Sequence, residues 1–221
     1  MGLLIPVARR VQERLAKRVI ESDDLVLPPK TVCGLDVSYQ GQTAIGAAVL
    51  LSYPDLEEIG HAVALCKVTV PYIPTFLSFR EYPPLSLAYG SLSSKPDVCF
   101  VDAHGRSHPR RIGAASHFGV LRDVPTVGVA KGILCGHTRQ STDAWPVLVD
   151  EEEIIGAELA TKPSVRPVYV SVGHRIALGT AVHLTQQCTK NHRLPEPIRL
   201  AHLIVTQTRQ RLAASNREVQ P

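Results

Sequence analysis

Val32-Cys33-Gly34-Leu35-Asp36-Val37 is the stretch on which the fold turns, an apolar run of strand length broken by a single carboxylate. It lies in a β-rich segment, residues 31–39, that is followed by two more at 44–51 and 59–70. The breaks between them, Gln40-Gly41-Gln42 and Tyr53-Pro54-Asp55, have the length and composition of turns, so the three segments predict an antiparallel meander. Further on, residues 98–101 and 126–129 are short apolar runs flanking 113–121, where apolar residues recur at helical spacing. That order predicts strand, helix, strand with parallel pairing. A meander followed by a crossover gives the fold class: α/β, a mixed sheet with helices on its faces.

Helices are expected at both ends. Val7, Val11, Leu15 and Val19 recur every fourth position among Arg, Lys and Glu, predicting a helix over residues 5–21. Ile198, Ala201, Val205, Thr208 and Leu212 step by three and four and predict a closing helix to about Ala214. Residues 1–214 are therefore read as a single domain, with 215–221 a disordered tail.

Composition narrows the function classes. Of 221 residues, 44% are hydrophobic and 20% charged, which fits a globular chain and excludes a collagenous or coiled-coil one. No apolar run approaches the roughly 20 residues of a membrane span, so no membrane partner is expected. The apolar start, residues 1–6, runs into Arg9, Arg10 and Arg14, the reverse order of a secretory signal, and points to a cytoplasmic location. Cys33, Cys66, Cys99, Cys135 and Cys188 form no CxxC pair and argue against a disulfide framework. A net charge of +4 permits a polyanionic partner without proving one.

Several charged residues sit where a bland sequence would not place them. Asp36 interrupts a strand, and a buried carboxylate costs several kcal/mol unless paired, protonated or bound to a cation. Asp102 ends the run Val98-Cys99-Phe100-Val101, where open α/β sheets commonly place functional groups. Each could equally be a turn or cap residue. Glu81 reads as a loop carboxylate beside Arg80, or as the third oxygen donor of a hard-cation site. Pro71 and Pro74 stiffen the segment around Tyr72 and Ile73, which suits either a surface loop or a wedge pushed into a base stack. The run His104-Gly105-Arg106-Ser107-His108-Pro109-Arg110-Arg111-Ile112-Gly113-Ala114-Ala115-Ser116-His117 joins a basic loop to a small-residue helix start, fit for a phosphate or a base edge. Lys131 ends a third buried-looking strand, and His202 borders the apolar stripe of the closing helix.

Taken in order, Gly34-Leu35-Asp36-Val37, Pro71-Tyr72-Ile73-Pro74 with Phe79-Arg80-Glu81, Val101-Asp102 with His108-Pro109-Arg110-Arg111 and Gly113-Ala114-Ala115-Ser116-His117, then Pro125-Thr126-Val127-Gly128-Val129-Ala130-Lys131, resemble endonuclease V, the deoxyinosine 3′ endonuclease family. The resemblance spans about residues 5–213 and implies a ribonuclease H-like fold. It implies that Asp36, Asp102 and Glu81 hold catalytic Mg²⁺, with Mn²⁺ as a substitute, that Lys131 serves the attacking water or scissile phosphate, and that His202 completes the catalytic set. It further implies that Pro71, Tyr72, Ile73 and Pro74 form a strand-separating wedge. Gly105, His108, Arg110, Arg111, Gly113, Ser116, His117 and Leu134 would supply the base pocket and phosphate contacts. The chain departs from the family at Ala103 and Thr75, where glycine is usual.

The expected activity is hydrolysis of the second phosphodiester bond 3′ to deoxyinosine in single- or double-stranded DNA by a monomer, leaving 3′-hydroxyl and 5′-phosphate ends. A ribonuclease acting on inosine-containing RNA and a non-cleaving inosine-binding module are the alternatives. Clustered carboxylates repel phosphate and so speak against pure binding.

Overall fold

The β-rich first third closes into the expected meander. Strands β1 (Thr31–Gln40), β2 (Thr43–Ser52) and β3 (Glu58–Lys67) pair antiparallel in sequence order. The third strand ends at Lys67 rather than at residue 70, and Val68 donates its N–H to Gln42 as the chain leaves the sheet. These features come from a computed structural model that describes residues 4–141 and 145–218.

Helix α1 (Ile5–Ala16) precedes the meander and stops short of residue 21. The Ile20 N–H donates to Nδ1 of His174 and the Ile20 carbonyl accepts from Arg175, and these tertiary bonds draw the backbone off the helical path. Its inward face also differs from the expected stripe: Val7 is exposed, whereas Ala8, Gln12 and Leu15 are buried. After β3 comes α2 (Leu77–Gly90), a helix where the sequence reading placed a loop. Then follow β4 (Val98–Val101), α3 (Ala114–Arg122) and β5 (Thr126–Ala130), the predicted strand, helix, strand, with β4 parallel to both β1 and β5.

The remaining strands extend the same sheet. They are β6 (His137–Arg139), β7 (Val147–Asp150), β8 (Glu153–Leu159) and β9 (Val168–His174). Among the described residues the sheet has the order β3-β2-β1-β4-β5-β9-β8-β7-β6. Helices α4 (Leu178–Gln187) and α5 (Glu196–Glu218) complete the chain. Helix α5 continues past Ala214 into the segment expected to be a disordered tail, and residues 219–221 lie outside the described residues.

Alternation along β1 sorts the core into two layers. Cys33 and Leu35 join Leu85, Ala88, Cys99, Val101, Ala115 and Phe118 under α2 and α3. Val32 joins Val49, Phe100, Val127, Val129, Val170, Ala181 and Ile198 in the layer that α4 and α5 cover. Each fully buried Leu, Ile or Phe in these layers contributes roughly 1.5–3 kcal/mol relative to exposure. Two glycines set the helix spacing. A Cβ at Gly34 would fall on the Pro197 carbonyl, so α5 rests directly on β1; one at Gly46 would fall on the Pro84 carbonyl, so α2 rests directly on β2. Among the described residues no helix is long and apolar enough to cross a membrane.

Candidate active site

Strand register brings the first two acids together. Leu35 of β1 pairs with Val101 of β4 in parallel, so Asp36 and Asp102 follow side by side where the two strands end their pairing. Asp102 donates its N–H to the Leu35 carbonyl at 3.2 Å, which fastens that end. Their side chains are only 10% and 9% exposed, so neither is a solvated turn residue.

The helix lying on Gly34 supplies the third group. His202, on α5, places Nδ1 2.8 Å from Oδ2 of Asp36. Ligand-capable atoms of Asp36, Asp102 and His202 all lie within 4.8 Å of one another. Lys131, just past β5, donates from Nζ to Oδ2 of Asp102 at 2.5 Å. Four residues from four separate parts of the chain thus meet at the ends of the central strands β1, β4 and β5.

Glu81 stands on α2 rather than in a loop. Burial, then the charges of Asp36 and Asp102, push its carboxyl up to about 8. Burial and the charge of Asp102 raise Asp36 to about 6, against the lowering hydrogen bonds from His202 and Val37. Desolvated carboxyls raised by neighbouring negative charge are the environment that a hard divalent cation relieves. Carboxylate oxygens match the preferences of Mg²⁺ and Mn²⁺, so the acids present fit such an ion.

A cleft of about 280 Å³ opens beside Asp102 and Lys131. Its walls include Tyr72, Pro74, His108, Ile112, Gly113 and Leu134. Tyr72 is 67% exposed at its rim, held out by the flanking prolines. Arg80 secures the approach to this segment by donating to the Val70 carbonyl at 2.8 Å. Of the residues expected to form a base pocket, the structure therefore brings His108, Gly113 and Leu134 to the cleft.

The others are placed elsewhere, each with a physical reason. Gly105 donates its N–H to Ser171 Oγ beneath β9, and Ser116 donates to the Val172 carbonyl, both in the interior. His117 is buried with Phe79 and Tyr82 at ring distances of 5.0 and 5.7 Å. Arg111 is occupied by Glu153 at 2.6 Å and Asp150 at 2.8 Å. Arg106 pairs with Glu153 as well, so that one carboxylate ties both arginines to the β7–β8 hairpin. Arg110 turns inward to Gln12 and Thr75. Sequence reasoning passed over Gln12; only its long-range partners Thr75 and Arg110, invisible in local spacing, reveal it. The hydroxyl of Ser78, buried against the cleft without a hydrogen-bond partner among the described residues, was missed too.

With this geometry in hand, the comparisons decide the family: residues 13–203 match endonuclease V. The chain belongs to the endonuclease V family. A curated endonuclease V from Roseiflexus sp. (strain RS-1) is 44% identical over 205 residues, covering 91% of this chain and 92% of the relative. The crystal structure of endonuclease V from Streptomyces avermitilis superposes with a TM-score of 0.87 at 35% identity, covering 94% of each chain. That of Ciona intestinalis endonuclease V (D234N), bound to a 23mer DNA containing an inosine followed by a ribo-adenosine, gives 0.85 at 30% identity, with 94% and 98% covered. The mixed sheet is accordingly the ribonuclease H-like fold of endonuclease V.

Proposed function

We propose that the chain is a metal-dependent endonuclease that recognises deoxyinosine and hydrolyses the second phosphodiester bond on its 3′ side, leaving 3′-hydroxyl and 5′-phosphate ends. The observation that carries this reading is the convergence of Asp36, Asp102, His202 and Lys131 beside a cleft rimmed by the exposed Tyr72. Family membership and the inosine-containing DNA bound by the Ciona relative support it.

Asp36, Asp102 and Glu81 would hold the Mg²⁺ or Mn²⁺, directly or through water. Such an ion supplies charge neutralisation at the phosphoryl oxygens and acidifies a water. The protein's own groups do the rest. Lys131, aimed by Asp102, places a positive charge where the scissile phosphate gains negative charge. His202 donates from Nδ1 to Asp36, which leaves Nε2 to hold a proton during attack or departure. Hypoxanthine presents O6 and N1–H where adenine presents an amino group and a bare N1, so polar groups of the cleft can separate the two once the base leaves the stack. Tyr72 would fill the space that the base vacates.

The ribo-adenosine after inosine in the Ciona complex favours a second reading, cleavage of inosine-containing RNA, since the 2′-hydroxyl is read by local contacts. Both readings share one test of the acidic site. Asp36→Ala and Asp102→Ala should each abolish cleavage of an inosine strand while binding, followed by fluorescence anisotropy, persists. Near-normal turnover by either variant in Mg²⁺ would remove that residue from the metal site.

A further inference from the structure

Thr75 follows the Pro71–Pro74 segment with a φ of 66°, a left-handed conformation that β-branched residues rarely adopt. What holds it there is a set of donors from two distant parts of the chain. Its carbonyl accepts from Gln12 Nε2 at 2.9 Å and from Arg110 Nη2 at 2.7 Å. His108 Nδ1 accepts from the Arg110 N–H, which leaves Nε2–H to donate to the same Thr75 carbonyl at 3.0 Å. The Thr75 hydroxyl accepts from Arg110 Nη2 as well, at 2.6 Å.

The node continues into α1. Arg110 Nε donates to Oε1 of Gln12 at 2.7 Å, and Gln12 is fully buried. The guanidinium also lies 4.4 Å over the Phe76 ring. Arg110 therefore directs two N–H bonds and one ring contact at the joint between the Tyr72 segment and α2, and a third N–H bond at Gln12 of α1. Thr75 and His108 both line the cleft, so the same node sets the distance between the rim that carries Tyr72 and the wall formed by the 104–113 loop.

We propose that Arg110 and Gln12 are positioning residues that fix the wedge against the base-pocket wall through Thr75, making engagement of duplex inosine depend on helix α1. This rests on the reading of Tyr72 as a wedge. It gives Arg110 a role other than the phosphate contact that its place in a basic loop suggests, and it gives the Thr75 hydroxyl a use as an acceptor.

The discriminating variants are Arg110→Lys, which keeps the charge and loses the fork, Thr75→Val, which keeps the shape and loses the acceptor, and Thr75→Ser, which keeps the acceptor. Affinities for one deoxyinosine in a duplex and in a single strand, measured in EDTA with thermal melting as a fold check, provide the readout. Loss of a charge-assisted bond at the node should weaken duplex binding by roughly tenfold for Arg110→Lys and several-fold for Thr75→Val, while single-strand binding changes by less than about twofold. Thr75→Ser should recover most of the duplex affinity lost by Thr75→Val. Equal losses on both substrates, or no loss on either, would overturn the proposal. If Arg110→Lys does not fold, the Val and Ser pair decides alone. Tyr72→Ala separates the two levels: a duplex-specific loss there without one at Arg110 or Thr75 defeats the node only, whereas no duplex-specific loss at Tyr72 defeats the wedge and the node with it.

Discussion

Lys131 shows how one side chain's position can exceed what its sequence context suggests. A lysine after a buried strand commonly snorkels to water, yet here its ammonium turns to Asp102. A group that acts on developing charge affects rate more than affinity. Lys131→Ala should therefore lower single-turnover cleavage by about 10² or more with little change in binding. A general phosphate contact would instead weaken binding, reduce the salt slope by about one, and spare the rate of the bound complex. Rates and binding constants across a salt series separate the two, and a large affinity loss with an unchanged bound rate would take Lys131 out of the catalytic set. Asp36 and Asp102 were legible for a related reason: a carboxylate closing an apolar run is conspicuous in any sequence. The partners of Arg110 and Arg111, namely Gln12, Thr75, Asp150 and Glu153, were not legible because they lie at least 35 positions away in the chain. A basic loop looks solvated until those partners are seen.

At the scale of elements, the meander and the β4–α3–β5 unit were readable because their periodicity is local. Helix α2 was not, since Pro83 and Pro84 fall inside it and each removes an intrahelical donor. Its packing on β2 at Gly46 and against α3 sustains it. Helix α4 was hidden in another way. Its N-terminus carries no local cap, and Asp23 caps it from across the molecule, accepting from Ala177 N–H at 2.8 Å and Thr180 Oγ1 at 2.7 Å. The α2–α3 contact also makes stability depend on pH. His117 is buried there and burial lowers its pKa to about 4, so the folded state keeps it neutral. Above the unfolded value near 6.5 the contact is fully favourable; as pH falls from there toward 4 only the unfolded chain takes the proton, and stability is lost. His117→Phe should therefore reduce the fall in urea-unfolding free energy between pH 7 and 4.5 by about 2 kcal/mol. Identical pH slopes for the variant and the parent chain would contradict the burial of a neutral imidazole.

Over the whole molecule, the cleft between Tyr72 and Leu134 and the Asp36–Asp102–His202 cluster adjoin at the ends of neighbouring strands, with Asp102 common to both. Such an arrangement suits a strand that is read at one nucleotide and cut at another. The direct test is single-turnover cleavage of matched DNA and RNA strands, each carrying one inosine or the parent adenine, in Mg²⁺ and in EDTA, with products resolved to the nucleotide. The predicted result is a cut at the second bond 3′ to deoxyinosine in Mg²⁺, leaving a 5′-phosphate, with the adenine strand intact and no product in EDTA. Cutting confined to inosine-containing RNA would transfer the activity to the ribonuclease reading. Cutting that ignores inosine, or that persists in EDTA, would contradict the account.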